Sequence, residues 1–216
     1  MSYTIEQRFS RLRKTPGIRD LVRETHVSTD DLILPIFVEE GIDKKIELST
    51  MPGVYRYSES ELSSVVQRVW KKGIKGIMLF GVSHHKDSVG SDSWDDDGLM
   101  ARIIKIAKKA QPEMLVISDN CFCEYTDHGH CGVVVDGDVD NDKTLVNLQK
   151  QAVVAAKAGA GMISPSGMMD GMIAALREAL DDNGHTDIPI MSYSTKFASA
   201  FYGPFRDAVG SANNLG

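Results

Sequence analysis

Short apolar runs alternate with helical patterns along most of this 216-residue chain, and this alternation restricts its fold more than any other feature. The runs, of the kind expected for strands buried on both faces, occupy residues 32–38, 76–81, 114–118, 161–164 and 188–192. The segments between them carry apolar residues at helical spacing, at 62–69, 99–107, 145–158 and 172–180. Strand–helix alternation predicts parallel strands with helices outside the sheet.

Polar residues that can take part in chemistry follow three of these runs. Asp119 follows the third, Ser166 and Asp170 follow the fourth, and Tyr193 and Lys196 follow the fifth. Functional residues gathered at one set of strand ends are typical of a (β/α)8 barrel. We therefore predict an α/β chain with TIM-barrel architecture, with about five of the eight strands present. A doubly wound sheet is the second choice, because no Gly-x-Gly-x-x-Gly turn follows an early strand.

All three cysteines of the chain, Cys121, Cys123 and Cys131, lie in one loop directly after the third apolar run. Thiolates are soft ligands that zinc accepts in tetrahedral geometry. The cluster therefore predicts a zinc site at the end of a strand. Three protein ligands would leave one coordination position open, which is the pattern of a catalytic metal.

Other interpretations of the cysteine cluster stay open at this point. His128 or His130 could be a fourth ligand and make the site structural. The cysteines could also be buried thiols without a metal, although their polar, histidine-containing loop argues against it. A disulfide fits less well with an odd number of cysteines and no recognisable signal peptide.

The bulk properties exclude two classes of partner. The net charge of −6 does not favour nucleic acid, and no apolar run approaches the ~20 residues of a membrane span. Residues 1–29 form an N-terminal arm that is basic against the acidic remainder of the chain. The arm is either a solvated tail with a short helix at 18–24 or a segment that packs on another subunit.

Two local patterns concern helix ends and ions. Ser58 and Glu61 have the spacing of a capping box and predict the start of a helix.

Residues 136–142 look like a calcium loop, but Asn141 stands where such a loop needs glycine. We therefore reject calcium and predict that Asn141 and Asp142 cap the next helix.

Five motifs resemble those of one enzyme family. The most specific is MSYSTKFASAFYGPFRD at residues 191–207. The others are DDLILPIFV at 30–38, SDNCFCEYT at 118–126, GHCG at 129–132 and PSGMMDG at 165–171. They are similar to motifs of the porphobilinogen synthases, also called delta-aminolevulinic acid dehydratases, and the resemblance runs from the arm to the last residues.

The resemblance implies a cytoplasmic, homo-octameric barrel enzyme of tetrapyrrole and heme biosynthesis. Such an enzyme is a hydro-lyase that condenses two delta-aminolevulinate molecules to porphobilinogen with loss of two waters. The arm, 1–29, would make subunit contacts, and residues 30–216 would belong to the barrel. Some family members replace the cysteines with an aspartate-rich loop, whereas this chain keeps all three and resembles the zinc-dependent kind.

The family pattern also implies roles for individual residues. It makes the three cysteines zinc ligands and makes Lys196 the lysine that forms a Schiff base with substrate. Arg206 would contact a substrate carboxylate in the segment leading to the active-site lid. Asp119, Ser166 and Tyr193 match active-site positions.

The chemistry of an imine constrains the surroundings of Lys196. An amine attacks a ketone only when unprotonated, so we expect burial or a nearby cation to lower the pKa of Lys196. Phe197, Phe201 and Tyr202 follow in the sequence and would supply an apolar, substrate-binding pocket.

The family pattern continues beyond residue 216, through further strands and a second Schiff-base lysine. An open barrel of about five strands would expose unpaired edges and apolar faces. We therefore expect either that the sequence omits a C-terminal part or that the chain is an inactive, truncated fragment that keeps only the zinc site. Two rival functions are also compatible with the sequence: a class I aldolase-like lyase with structural zinc, and a non-catalytic zinc-binding scaffold.

Overall fold

The computed structural model describes residues 8–194, 196–197, 199–200 and 202–209. Within them the strands are β1 (Ile33–Glu39), β2 (Ile46–Glu47), β3 (Tyr55–Tyr57), β4 (Gly76–Val82), β5 (Leu115–Asn120), β6 (Val134–Val135), β7 (Asp138–Val139) and β8 (Met162–Pro165). The α-helices are α1 (Pro16–Leu21), α2 (Glu59–Lys71), α3 (Leu99–Ala110), α4 (Asn141–Ala158), α5 (Met172–Asp182) and α6 (Tyr202–Ala208). Short 3-10 helices occupy Phe9–Arg13, Thr29–Asp31 and Ser91–Trp94.

Four parallel strands form the centre of the sheet, in the order β1, β4, β5, β8. β1 and β4 pair along their whole length, from Ile33 opposite Gly76 to Glu39 opposite Val82. Each of these four strands lies beside the next of the four, so this part of the sheet lacks the reversal of strand order that defines a doubly wound fold. Sequential parallel strands joined through helices are the architecture of a (β/α)8 barrel, and the predicted fold class is confirmed.

The apolar run at 188–192 forms less sheet than predicted. It contributes a single parallel bridge, Ile163 to Ile190, beside β8. The backbone N–H of Met191 donates to the carbonyl of Ile163 at 2.8 Å, and the N–H of Ile163 donates to the carbonyl of Pro189 at 3.1 Å. Proline has no N–H to give to a ladder, so this run adds a bridge where the pattern predicts a strand.

Four short strands and one helix lie where the sequence predicts only connections. The β2–β3 pair lies in the long segment after β1, and β3 pairs in parallel with the end of β1, with Phe37 opposite Arg56. β6 and β7 form a small separate hairpin. Helix α6 contains Gly203 and Pro204, which normally interrupt helices, but proline is tolerated in a first turn.

Two predicted helix starts shift by a few residues. α4 takes Asp140 as its N-cap, and the predicted Asn141 and Asp142 lie inside the helix. The carboxylate of Asp140 accepts the backbone N–H of Lys143 at 2.9 Å, a bond that a side chain further along the helix could not make. In the arm, α1 begins at Pro16, earlier than predicted, with the side chain of Thr15 as its cap.

The sheet separates two apolar cores. The larger lies between the sheet and the helices and includes Leu62, Leu79, Ile103 and Leu148. The smaller lies on the other face and consists of Phe37, Leu48, Met78, Phe80, Ile117, Ala208 and Val209. In a barrel this second face is the interior, and the end of α6 is packed into it. None of the helices in the described part of the chain has the length and apolarity to cross a membrane.

The predicted capping box at the start of α2 is present and can be tested. The carboxylate of Glu61 accepts the backbone N–H of Ser58 at 3.4 Å and its hydroxyl at 3.0 Å. Ser58 is buried. We expect Ser58→Ala to lower the free energy of unfolding by about 1 kcal/mol, measured by urea denaturation.

The matched control is Ser64→Ala in the same helix. The Ser64 hydroxyl only donates back to the carbonyl of Glu61 on an exposed surface. Alanine has the higher helix propensity, so this change should leave stability unchanged or slightly higher. Equal losses from the two variants would contradict a capping role for Ser58.

Candidate active site and metal centre

The three cysteine sulfurs lie together just beyond the C-terminal end of β5. Sγ of Cys121 is 3.3 Å from Sγ of Cys123 and 3.1 Å from Sγ of Cys131, and all three sulfurs lie within 4.8 Å of one another. All three cysteines are free thiols. Four ligands at about 2.3 Å around tetrahedral zinc are about 3.8 Å apart. The cluster therefore fits a zinc ion after shifts of less than an ångström.

The two histidines of the loop face other partners. Nε2 of His128 contacts the backbone oxygen of Ser88 at 3.1 Å, and Nδ1 of His128 accepts the N–H of His130 at 3.1 Å. In the described part of the chain, the three cysteines are the one group whose donor atoms converge as metal ligands do. The structure therefore favours three protein ligands over four.

Contacts with α4 hold the cysteine loop on both sides of the cluster. Gln151, buried on α4, donates to the carbonyl of Cys121 at 2.8 Å and accepts from the side chain of Asn120 at 3.1 Å. Gly132 approaches α4 so closely that a Cβ there would lie 2.6 Å from Oγ1 of Thr144. The backbone before and after the thiols is thus anchored to the same helix.

The three thiols differ in pKa because they share hydrogen bonds. Hydrogen bonds from Cys121 and Cys123 lower the pKa of Cys131 to about 4. The hydrogen bond with Cys123 lowers the pKa of Cys121, but the bond to Cys131 and burial raise it to about 12. Hydrogen bonds with the other two thiols, together with burial, raise the pKa of Cys123. A metal binds thiolates, so ion binding must release the protons that this arrangement retains.

Asp119 lies next to the thiols and is 4% exposed. Its Oδ2 accepts the hydroxyl of Ser166 at 3.2 Å, and its Oδ1 accepts the hydroxyl of Tyr193 at 3.4 Å. Burial, followed by the negative charges of Glu124 and Cys121, raises the pKa of Asp119 well above its ordinary value. A carboxyl group with a raised pKa between two hydroxyls is suited to holding or moving a proton.

Lys196 turns toward the same carboxylate and thiols. Its Nζ donates to the backbone carbonyl of Ser166 at 2.8 Å and lies 5.8 Å from the ring centroids of Tyr193 and Tyr202. Burial lowers the pKa of Lys196, but the negative charges of Cys121 and Tyr202 outweigh it, and the net pKa is raised. The predicted lowering is wrong for this structure, because the acidic groups around the amine oppose the effect of burial.

The aromatic surroundings of Lys196 differ from the prediction. Phe197 is 78% exposed and gives the amine little cover. Phe201 lies outside the described residues. The predicted Tyr202 does flank the amine, and Tyr193 lies at the same distance of 5.8 Å.

Helix α6 supplies Tyr202 and Arg206. Tyr202 lines the site, and the guanidinium carbon of Arg206 stacks 5.2 Å from the centroid of its ring. Nε of Arg206 is buried and has no hydrogen-bond partner among the described residues. A buried donor without an acceptor is unfavourable, and a carboxylate is the acceptor that matches a guanidinium best.

With the exception of Cys131 and Arg206, these groups line one cavity of about 580 Å³. Apolar side chains of β1 and β4 form its floor: Ile33, Pro35, Phe37, Met78 and Phe80. Four further apolar side chains line it: Met51, Val54, Phe197 and Phe205. The other lining side chains carry polar or ionisable groups: Asp119, Cys121, Cys123, Glu124, Ser166, Tyr193, Lys196 and Tyr202. The size and the mixture of apolar wall and convergent polar groups suit a small organic molecule.

Two residues of the site escape the sequence analysis. Glu124 is buried with its Oε2 at 3.2 Å from Sγ of Cys123, and burial and the charge of Cys121 raise its pKa to about 8. The residues around it carry no signal that distinguishes a buried acid from a solvated one. Gln151 could have been found, because it is a polar residue on the apolar face of α4 beside Leu148.

One residue singled out from the sequence lies away from the cavity. Asp170 is exposed, and its backbone N–H donates to the side chain of Asn141 at 2.8 Å. It joins the start of α5 to the start of α4 and takes no part in lining the site.

Comparisons with known proteins agree with this geometry. Residues 6–216 match the family model for delta-aminolevulinic acid dehydratase. This chain belongs to the delta-aminolevulinic acid dehydratase family. The family match decides against the aldolase-like alternative.

Relatives of the same name share much of the sequence. The dehydratase of Escherichia coli (strain K12) is 58% identical over 206 residues, which are 95% of this chain and 64% of the relative. That of Staphylococcus epidermidis is 49% identical over 211 residues, which are 97% of this chain and 65% of the relative. The chain thus spans somewhat less than two thirds of the length of these curated relatives.

A solved dehydratase structure shares the fold. The enzyme from Toxoplasma gondii, crystallised with the reaction product porphobilinogen, superposes with a TM-score of 0.92 at 42% identity. The match covers 96% of this chain and 60% of that one.

The metal site of this dehydratase family member can be tested with cobalt(II). The chain has only three cysteines, so any thiolate-to-cobalt absorption band must come from this cluster. We expect a band that zinc displaces, and we expect Cys131→Ser to weaken cobalt affinity at least tenfold, since even indirect partners of a ligand change affinity by roughly 10–100-fold.

His128→Gln is the control. Its ring contacts Ser88 and not the thiols, so cobalt affinity and the band should stay as in the unmodified protein. Loss of the band in this variant would restore the alternative with a histidine ligand.

Proposed function

We propose that this chain carries the reaction centre of a porphobilinogen synthase. The reaction joins two delta-aminolevulinate molecules through one new carbon–carbon and one new carbon–nitrogen bond, and two waters leave. The observation that carries the proposal is the placement of the Lys196 amine, the Asp119 carboxyl group and the thiols of Cys121 and Cys123 on one cavity, with Cys131 clustered against those thiols. The family membership and the product named for the related Toxoplasma structure support it.

Lys196 is the proposed covalent residue. Its amine attacks the ketone carbon of one substrate, the ketone oxygen leaves as water, and an imine remains. The rings of Tyr193 and Tyr202 flank this bond, each with its centroid 5.8 Å from Nζ. The backbone carbonyl of Ser166 orients the amine toward the cavity.

Asp119 is the proposed proton-transfer group. Its pKa is raised well above the ordinary value, so it holds a proton more readily than an exposed carboxyl group does. The hydroxyls of Ser166 and Tyr193 hold its two oxygens in place. This arrangement provides a route for the protons that must reach the departing water molecules.

Arg206 is the proposed partner of a substrate carboxylate. Its buried Nε lacks an acceptor among the described residues, and a carboxylate would satisfy it with a two-pronged contact that lysine cannot make. Tyr202 places the stacked guanidinium beside the cavity.

Zinc is the proposed ion, held by Cys121, Cys123 and Cys131. The all-sulfur donor set suits zinc better than magnesium or calcium. When bound, zinc supplies Lewis-acid polarisation of a carbonyl oxygen and offsets thiolate charge that raises the pKa of Lys196. Free thiols at this density are consistent with a cytoplasmic location.

Self-association through the N-terminal arm, into a homo-octamer, is part of the proposal. Residues 1–29 are proposed as the arm and 30–216 as barrel. The described arm carries large apolar side chains in water, among them Phe9, which is 70% exposed, and Leu21, which is 85% exposed. Apolar side chains exposed in this way mark an interaction surface.

The proposed imine can be trapped chemically. With delta-aminolevulinate and borohydride, we expect a reduced adduct on Lys196, identified by peptide mass spectrometry, because reduction makes the carbon–nitrogen bond permanent. Pyrrole formation, followed with a colorimetric aldehyde reagent, should be lost in Lys196→Arg.

Lys150→Arg is the control, since Lys150 lies on α4 away from the cavity and contacts Asn147. It should change neither the adduct nor pyrrole formation. Failure to trap an adduct on Lys196 in protein that binds the substrate would contradict the proposed role.

The arm can be tested separately by light scattering. We expect Leu21→Glu to shift the protein to smaller assemblies, because a buried carboxylate in a subunit contact is unfavourable. Val146→Glu, a similar change at a half-exposed position of α4, should leave the assembly unchanged. An unchanged mass for Leu21→Glu would exclude this residue from the subunit contacts.

A further inference from the structure

Helix α6 is held at its C-terminal end by an arginine outside the cavity. Arg56, on β3, donates from Nε to the carbonyl of Ala208 at 2.8 Å and from a terminal nitrogen to the carbonyl of Asp207 at 2.5 Å. The last carbonyls of a helix lack partners within the helix and carry the negative end of its dipole. A guanidinium that bonds to two of them satisfies both requirements.

The rest of the Arg56 side chain is fixed as well. Its other terminal nitrogen donates to Oε2 of Glu39 at 3.1 Å, and Oε1 of Glu39 meets Nε2 of His84 at 3.2 Å. The side chains of Arg56 and Glu39 are only 19% and 12% exposed, so solvent screens this ion pair little. Next to it, the hydroxyl of Thr50 donates to the carboxylate of Asp207 at 2.8 Å.

The contacts matter because α6 is short. Its seven residues are too few for a stable helix in isolation, so its position depends on what holds it. Its apolar side secures it through Phe205, whose ring lies 5.5 Å from that of Phe80. Its polar end is secured by Arg56 and Thr50.

We propose that Arg56 is a positioning residue that keeps α6 over the cavity. This inference rests on the proposed function, because α6 carries Tyr202 beside the Lys196 amine and Arg206 stacked on Tyr202. Without Arg56 the helix spends less time in place, and substrate binding must restore it. The free energy needed to return α6 to its place is then taken from substrate binding. Substrate affinity therefore falls more than the rate of the chemical step.

The experiment combines kinetics with hydrogen exchange on the full chain. In Arg56→Met we expect KM for delta-aminolevulinate to rise about tenfold or more, from loss of charged hydrogen bonds, while kcat changes by less than about threefold. Amide exchange should become faster in residues 202–209 and stay unchanged in β5 and the cysteine loop. The KM and the exchange rates of Arg56→Lys should lie between those of the unmodified protein and Arg56→Met. Lysine keeps the positive charge but cannot donate several hydrogen bonds in the planar geometry of a guanidinium.

Arg68→Met is the control, an exposed arginine on α2, and should alter neither KM nor exchange in α6. Thr50→Val removes only the neighbouring hydroxyl contact and should produce a smaller change in the same direction. It also provides the test if Arg56→Met does not fold.

The outcomes separate the two proposals. Faster exchange in α6 of Arg56→Met supports the positioning role whether or not the unmodified protein turns over substrate. Absence of turnover in the unmodified protein would contradict the proposed function but not the positioning role. Normal turnover with unchanged KM and unchanged α6 exchange in Arg56→Met would overturn the positioning role. Equal losses of protection throughout the chain would also overturn it, because they would show a general effect on stability.

Discussion

The concentration of buried acidic groups at the end of β5 is the constraint on which the site depends. Cys121, Cys123, Asp119 and Glu124 are all nearly inaccessible to water and lie within one small region. Charges of one sign in such surroundings are tolerated only when protons or cations accompany them. The raised pKa values of Asp119 and Glu124 and the position of Lys196 are consequences of this one requirement.

The barrel fold brings these groups together although they are distant in sequence. β5 and β8 pair in parallel, with Asp119 opposite Ser164, so the loops that follow them open at the same edge of the sheet. Ser166 therefore reaches Asp119 from across the pair. The bridge at Ile190 extends the same edge toward Tyr193 and adds the third contributor.

Features governed by local pattern are predicted well, and features governed by tertiary contact are not. The apolar strands, the capping box and the thiol cluster follow from burial, spacing and ligand chemistry. The roles proposed for Lys196 and Arg206 come from the resemblance to a family. Helix α6 escapes prediction because Arg56 and Phe80, far away in sequence, hold it in place. The raised pKa of Lys196 escapes because it reflects summed charges in three dimensions.

The amide of Gln151 gives the cysteine loop a support that does not ionise. Its bonds to Cys121 and Asn120 keep their strength over the acidity range in which thiolates take up protons. Mild acid should therefore release a bound ion while the backbone around it stays in place. The site would then release and rebind its ion without a change in backbone structure, unlike small metal-dependent domains, which unfold when the metal is lost.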